Sequence, residues 1–84
     1  MYKIIFEKPA EKFFRKLNKK EQEQIAKKIN ELSLNPKLGK PLVDKLSGLW
    51  SLRIGDYRAI YMIKNQELIV LVLKLGHRKN VYDF

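Results

Sequence analysis

The sequence predicts an α+β fold: an N-terminal strand leads into a two-helix hairpin and then a three-stranded antiparallel meander, the helices packing on one face of a mainly antiparallel sheet. Three observations carry the prediction. A short β-branched and aromatic run at residues 2–7 is stopped by Pro9, two helical stripes of apolar residues follow, and three strand-like runs separated by short turn sequences close the chain. The 84 residues suffice for one small core, so residues 1–84 are expected to form a single domain.

Each element has a local cause. Proline lacks an N–H and has a fixed φ, so Pro9 ends a strand but suits the first turn of a helix. From Ala10 onward, Ala10, Phe13, Phe14 and Leu17 fall on one stripe, and Glu11, Lys12, Arg15 and Lys16 on the other face. Asn18 can N-cap a second helix, with Glu21 three residues on completing a variant of the capping box. The apolar stripe of that helix is Ile25, Ile29 and Leu32. It should end near Leu34, because Asn35 precedes Pro36 and the residue before a proline avoids the α region. Residues 35–48 hold two prolines, two glycines and three lysines and read as a long ordered loop, a kind of segment that usually serves function. Strands are expected at 49–54, 57–64 and 67–75. Gly55-Asp56 fits a type II′ hairpin turn, and Asn65-Gln66 gives a weaker turn signal.

Charge narrows the function. Eighteen Lys and Arg against nine Asp and Glu leave a net charge of +9, which points to anionic partners. A hydrophobic content of 45% is near the globular average, so the excess charge does not describe a disordered basic tail. There is no cysteine and one histidine, which argues against a disulfide framework, a structural zinc site or any metal cofactor. No apolar run reaches the length of a membrane span, and the apolar stretch of MYKIIFEKP is too short for a signal peptide. A cytoplasmic protein without a membrane partner is the expectation.

With Gly55 and Asp56 as the loop, Ile54 faces Tyr57, Arg53 faces Arg58, Leu52 faces Ala59 and Trp50 faces Tyr61. Alternation then gathers Trp50, Leu52, Ile54, Ala59, Tyr61, Ile63, Val70 and Val72 on the face the helices cover, the expected core. Ser51, Arg53 and Arg58 lie at one end of the other face, and Leu49, Ile60, Met62, Ile69, Leu71 and Leu73 make its remainder apolar. A polypeptide partner could cover that remainder, or the 35–48 loop and the C-terminal tail could fold over it. Like charges directly opposite across a strand pair repel. The Arg53–Arg58 pair is therefore expected where an anion binds, since planar guanidinium forks hold phosphate bidentately; two arginines splayed into water are the alternative. The basic residues on the outer helix faces, Lys12, Arg15, Lys16, Lys19, Lys20, Lys27 and Lys28, are partly offset by Glu11, Glu21, Glu23 and Glu31 and are expected to serve long-range attraction to nucleic acid rather than a defined site.

The tail Gly76-His77-Arg78-Lys79-Asn80-Val81-Tyr82 brings two cations, the one imidazole and a phenol together. This set suits phosphodiester cleavage, in which a 2′-hydroxyl loses a proton, the phosphorane gains charge stabilisation and the 5′-oxygen is protonated on leaving. His77 or Tyr82 can trade protons while Arg58 and Arg78 take the developing charge, with Arg53, Ser51 and Lys79 holding RNA phosphate. An ordinary surface histidine and a packing tyrosine are the plain alternatives.

The element order, with LSGLWSLRIGDYRAIY followed by LVLKLGHRKNVY, resembles the RelE/ParE superfamily of bacterial and archaeal toxins over nearly the whole chain. Residues 46–58 and 76–79 are its most specific stretches. The resemblance implies the toxin of a type II toxin–antitoxin pair, an mRNA interferase of the RelE branch. Such an endoribonuclease enters the ribosomal A site and cleaves messenger RNA by 2′-hydroxyl attack, leaving a 2′,3′-cyclic phosphate. It further implies inhibition by a RelB-like antitoxin and operator DNA binding only through the antitoxin complex. By position Arg58 matches an arginine that stabilises the transition state, Arg78 a second catalytic arginine, and Tyr82 a tyrosine that stacks on or orients a base. Leu49 and Ser51 stand where well-studied RelE members carry lysines, one of them assigned as general base. Arg53 keeps a cation nearby, but a guanidinium does not accept a proton. The alternative within the superfamily is a ParE-like toxin that inhibits DNA gyrase without nuclease activity.

Overall fold

The computed structural model describes residues 1–79 and 81. Strand β1 (Lys3–Phe6) runs into helix α1 (Lys8–Arg15), which has Glu7 at its N-cap and Pro9 in its first turn. Helix α2 (Lys19–Asn30) begins at Asn18, whose side-chain oxygen accepts from the Glu21 N–H at 2.9 Å. The expected cap is thus formed. A single 3₁₀ turn at Glu31–Ser33 carries Leu32 into the core before the pre-proline residue Asn35.

Residues 35–48 are more structured than the sequence suggested. Two 3₁₀ turns, Pro36–Leu38 and Asp44–Leu46, flank a two-residue strand, β2 (Lys40–Pro41). Strands β3 (Trp50–Ile54), β4 (Tyr57–Lys64) and β5 (Ile69–His77) complete a five-stranded sheet in the order β1-β5-β4-β3-β2. The pair β1 and β5 is parallel and the others antiparallel. The α+β expectation holds, with β2 as an additional edge strand.

The β3–β4 register is the expected one, Arg53 opposite Arg58 and Trp50 opposite Tyr61. Gly55 has φ +60°, as the first central position of a II′ turn demands. The second hairpin departs from the sequence reading. Its turn takes residues 65–68, with Leu68 at φ 55° and its N–H bonded to the Asn65 carbonyl, so β5 begins at Ile69 rather than Glu67.

A bulge also breaks β5. Ile60 pairs with Lys74 but Tyr61 with Val72, leaving Leu73 as the extra residue. Without it, the alternation that buries Val70 and Val72 would send Lys74 into the core beside Ala59. With it, Leu75 enters the core instead. Leu52, Ile54, Tyr57, Ala59, Tyr61, Val70, Val72 and Leu75 then pack against Ala10, Ile25, Ile29 and Leu32. Trp50 and Ile63, expected in the core, are partly buried and pack against its margin.

Candidate nucleic-acid interface

Directly paired residues of an antiparallel sheet share a face, which assembles the site on the side away from the helices. One cross-strand row reads Lys40, Ser51, Ile60 and Lys74 over β2, β3, β4 and β5. The neighbouring row reads Arg53, Arg58 and Gly76. The Arg58 guanidinium donates from Nη1 to the Ser51 hydroxyl at 3.0 Å, while Arg53 is exposed and reaches only a long 3.4 Å contact with the Gly55 carbonyl. Arg58 is half-buried and Ser51 buried, so one arginine is oriented and the other remains open to solvent.

A cleft of about 340 Å³ opens here, lined by Lys28, Gly39, Lys40, Ser51, Arg53 and Arg58 among others. A second, of about 520 Å³, adjoins it between α2 and the β3–β4 turn and shares Lys28 and Arg53. No carboxylate comes from the strand residues of this face, and Glu31 of the second cleft is engaged by Lys28 at 3.7 Å. Such a surface favours a polyanion that can contact several cations at once.

The floor of the site depends on Tyr61. Its ring is fully buried, its hydroxyl donates to the Pro36 carbonyl at 2.6 Å, and it accepts from the Gly39 N–H at 3.1 Å. Those bonds fasten the 35–48 segment beside Ser51, and burial pushes the phenol above its ordinary pKa. Gly39 has no room for a side chain, since a Cβ there would stand 2.5 Å from the Ser51 carbonyl oxygen and 2.7 Å from the Tyr61 hydroxyl.

The tail divides between the two faces. The Arg78 N–H donates to the Asp56 carbonyl at 3.0 Å, which holds this residue at the same end of the sheet as Arg53 and Arg58. Arg78 and Lys79 are exposed and line a shallow depression of about 290 Å³ with Asp56 and His77. His77, paired with Tyr57, lies on the helix side, its ring 5.2 Å from that of Tyr57 and 5.8 Å from that of Phe13. The sheet separates it from Arg58. The Tyr57 hydroxyl donates to the Glu21 carboxylate, which raises the phenol's pKa, with burial adding to the effect. Tyr82 lies outside the described residues. Leu49 is half-exposed just before β3 and supplies no proton carrier.

The structure therefore brings together Ser51, Arg53 and Arg58, places Arg78 and Lys79 at the rim, and sets His77 on the other side. Lys40 and Lys74 were missed in the sequence. Lys40 gave no signal, because a two-residue strand has no periodicity. Lys74 gave one: uninterrupted alternation would bury its ammonium, a conflict that a bulge resolves. Part of the predicted apolar second face is closed by the chain itself. Ile60 is fully buried, and Val81 sits against Gly76, 3.4 Å from where a Cβ there would stand. Ile5, Met62, Ile69, Leu71 and Leu73 remain half-buried. Among the described residues no cluster of His, Cys, Asp and Glu could hold a metal, and no helix is long and apolar enough to cross a membrane.

Two helices backing one side of a mixed sheet form a fold that this chain shares with solved chains of bacterial toxin–antitoxin complexes. The family model for the ParE toxin of the type II toxin–antitoxin system parDE matches residues 4–82. The chain belongs to this RelE/ParE family. It is 38% identical over 55 residues to the toxin RelG of Mycobacterium tuberculosis, a match covering 64% of this chain but only 63% of that protein. The mRNA interferase toxin RelE of Escherichia coli K12 is 30% identical, over 93% of this chain and 84% of its own length. Among solved structures, a chain of the toxin–antitoxin complex RelBE2 from M. tuberculosis superposes with a TM-score of 0.84 at 32% identity, covering 92% of this chain and 98% of that one.

Proposed function

We propose that this chain is a ribosome-dependent endoribonuclease that cleaves messenger RNA in the A site and arrests translation. The observation that carries this reading is the Arg53–Arg58 pair on a face to which the described strand residues contribute no carboxylate, one guanidinium oriented by Ser51 and the other exposed. The likeness to a protein named mRNA interferase RelE supports it.

In this mechanism the 2′-oxygen of the nucleotide preceding the scissile bond attacks phosphorus and loses its proton. The bond to the 5′-oxygen breaks, that oxygen gains a proton, and a 2′,3′-cyclic phosphate remains. Arg58, with Arg78 at the rim, holds charge on the non-bridging oxygens as the pentacoordinate state forms, an effect worth about 100-fold or more in rate for one well-placed donor. Ser51 keeps the Arg58 fork in plane. Arg53 and Lys79 hold flanking phosphates, and Tyr82 orients a base. His77, behind the sheet, is not in line with Arg58, so proton transfer falls to another group: a lysine of the cationic face, Tyr82 or the ribosome itself.

The partner is an antitoxin related to that of the RelBE2 complex, covering the half-buried apolar strip of Ile5, Met62, Ile69, Leu71 and Leu73. An acidic amphipathic helix suits that strip and its basic surroundings. Operator DNA would be reached only through this complex.

A second reading is a gyrase-directed toxin, favoured by the ParE family match and by Leu49 and Ser51 in place of lysines. Primer extension on programmed translating ribosomes separates the two. Cuts in the A-site codon support the nuclease; intact message with inhibited DNA supercoiling supports the alternative.

A further inference from the structure

We infer that the RNA strand held at Arg58 continues around the edge of β3, and that the cleft between α2 and the β3–β4 turn takes a further phosphate of it on Lys27, Gln24 and Arg53. This rests on the reading of the sheet face as an RNA site. The path is set by β2, which is too short to cover its neighbour and pairs with Trp50 and Ser51 only. The Leu42 N–H donates to the Leu49 carbonyl at 2.8 Å, which sets the phase along β3. Backbone groups alternate in direction along an antiparallel strand, so those of Leu49, Ser51 and Arg53 turn away from β4. Ser51 meets Lys40 of β2, whereas Arg53 lies past the end of β2 at an open edge. No acceptor for the Arg53 N–H occurs among the described residues. A backbone donor so placed is one that a passing phosphate oxygen can use.

The side chains around this donor match it. Arg53 is exposed and its Nε stands 3.4 Å from the Gly55 carbonyl, which keeps the side chain at the hairpin end where the two clefts meet. The opposite wall of the second cleft, of about 520 Å³, is α2, with Gln24, Lys27 and Lys28. The Gln24 amide nitrogen would stand 3.0 Å from a Cβ at Gly55, so a neutral donor reaches the turn from the helix side. Glu31, the carboxylate lining this cleft, is engaged by Lys28 at 3.7 Å. Among the described residues neither Lys27 nor Arg53 has an ion-pair partner. One cation from a helix and one from a strand therefore border the same space, with an amide and a backbone N–H beside them. That space is continuous with the cleft of Ser51 and Arg58, because Lys28 and Arg53 line both. Two connected cationic clefts suit consecutive phosphates of one strand better than a single small anion, and the salt dependence of binding counts such contacts.

The test uses the full chain with two readouts. Equilibrium binding to a single-stranded RNA oligonucleotide, made uncleavable by 2′-deoxy substitution at the scissile nucleotide, is measured as a function of salt; cleavage is measured separately on programmed ribosomes. Lys27→Met should weaken binding about two- to fivefold, the range for one exposed charged contact. It should also make the slope of log affinity against log salt shallower by about 0.7, the value for one lost single-strand phosphate contact. Gln24→Ala should weaken binding without changing the slope, since a neutral donor releases no counterion. Lys20→Ala removes an exposed charge of the same helix that lines neither cleft, and should change the slope less. Oligonucleotides with one methylphosphonate in place of a phosphate near the scissile bond locate the contact: at one position the wild type should lose affinity and Lys27→Met should lose none further. Wild-type affinity and slope in a folded Lys27→Met variant would overturn the inference. So would equal methylphosphonate losses in both proteins at every position, or absence of RNA binding by the wild type. A wild type that binds RNA with a Lys27-dependent slope but leaves message uncut would instead overturn the nuclease reading alone.

Discussion

Replacing Gly39 by alanine puts a methyl carbon 2.5 Å from the Ser51 carbonyl oxygen and 2.7 Å from the Tyr61 hydroxyl, and neither neighbour can yield cheaply. The carbonyl belongs to the backbone of β3, beside the Lys40–Ser51 pair, and Tyr61 is fully buried with its hydroxyl donated to Pro36. Overpacking of a well-filled site costs about 1–3 kcal/mol. Displacing the loop also breaks the bond from the Gly39 N–H to Tyr61, worth about 1 kcal/mol. The sum, about 2–4 kcal/mol, corresponds to a fall in Tm of roughly 10–25 °C for a domain of this size. Gly48 provides the comparison, because a Cβ there meets nothing within 4 Å and only its φ of +94° opposes substitution. Gly48→Ala should therefore cost about 1–2 kcal/mol, less than Gly39→Ala. Thermal and urea unfolding followed by circular dichroism measure both. A Gly39→Ala protein that melts with the wild type, or above Gly48→Ala, would refute the packing assigned to this loop.

Other perturbations address the site and the frame. Arg58→Ala should lower cleavage about 100-fold or more while the circular dichroism spectrum is retained; a cleavage rate equal to wild type would remove Arg58 from the chemistry. Asn18→Ala should cost about 1 kcal/mol in urea unfolding by loss of the α2 cap, and an unchanged midpoint would contradict the capping role. Both Tyr57, through its bond to Glu21 and its burial, and Tyr61, through burial, hold their protons more tightly than an ordinary phenol of pKa 10.0. The folded state thus favours the protonated phenols. Their contribution to stability is complete below pH 10 and is lost as pH rises through the raised values. Urea unfolding followed from neutral pH through 10 and above should show this loss, with a smaller loss in Tyr57→Phe; identical alkaline profiles for the two proteins would exclude Tyr57 as a contributor.

The parts of the fold legible in sequence are those governed by neighbours along the chain. Pro9, the Asn18 cap and the Gly55-Asp56 turn each act within a few residues, and the hairpin fixes the Arg53–Arg58 pairing once its turn length is known. Failures begin where tertiary contacts decide. Strand β2 has two residues and exists because Tyr61 binds the backbone at Pro36 and Gly39, a bond spanning 25 positions to Pro36. The shift of β5 to Ile69 follows from a longer turn that Asn65 helps to tie to Tyr2 at 2.8 Å. The position of His77 is the instructive case. Proximity in sequence to Arg78 and Lys79 suggested a shared site, yet strand alternation through Tyr57 turns its ring toward Phe13. The placement of Lys74 went unread for the converse reason, since a single extra residue reverses every later side chain on its strand.

Primer extension on ribosomes programmed with a defined message, comparing the wild type with Arg58→Ala and Arg78→Ala, bears most directly on the arginine face as a centre for RNA cleavage. Message ends within the A-site codon should appear with the wild type, carry a 2′,3′-cyclic phosphate and fade in both variants. Intact message at toxin concentrations that halt growth, or cuts that persist without Arg58, would contradict it.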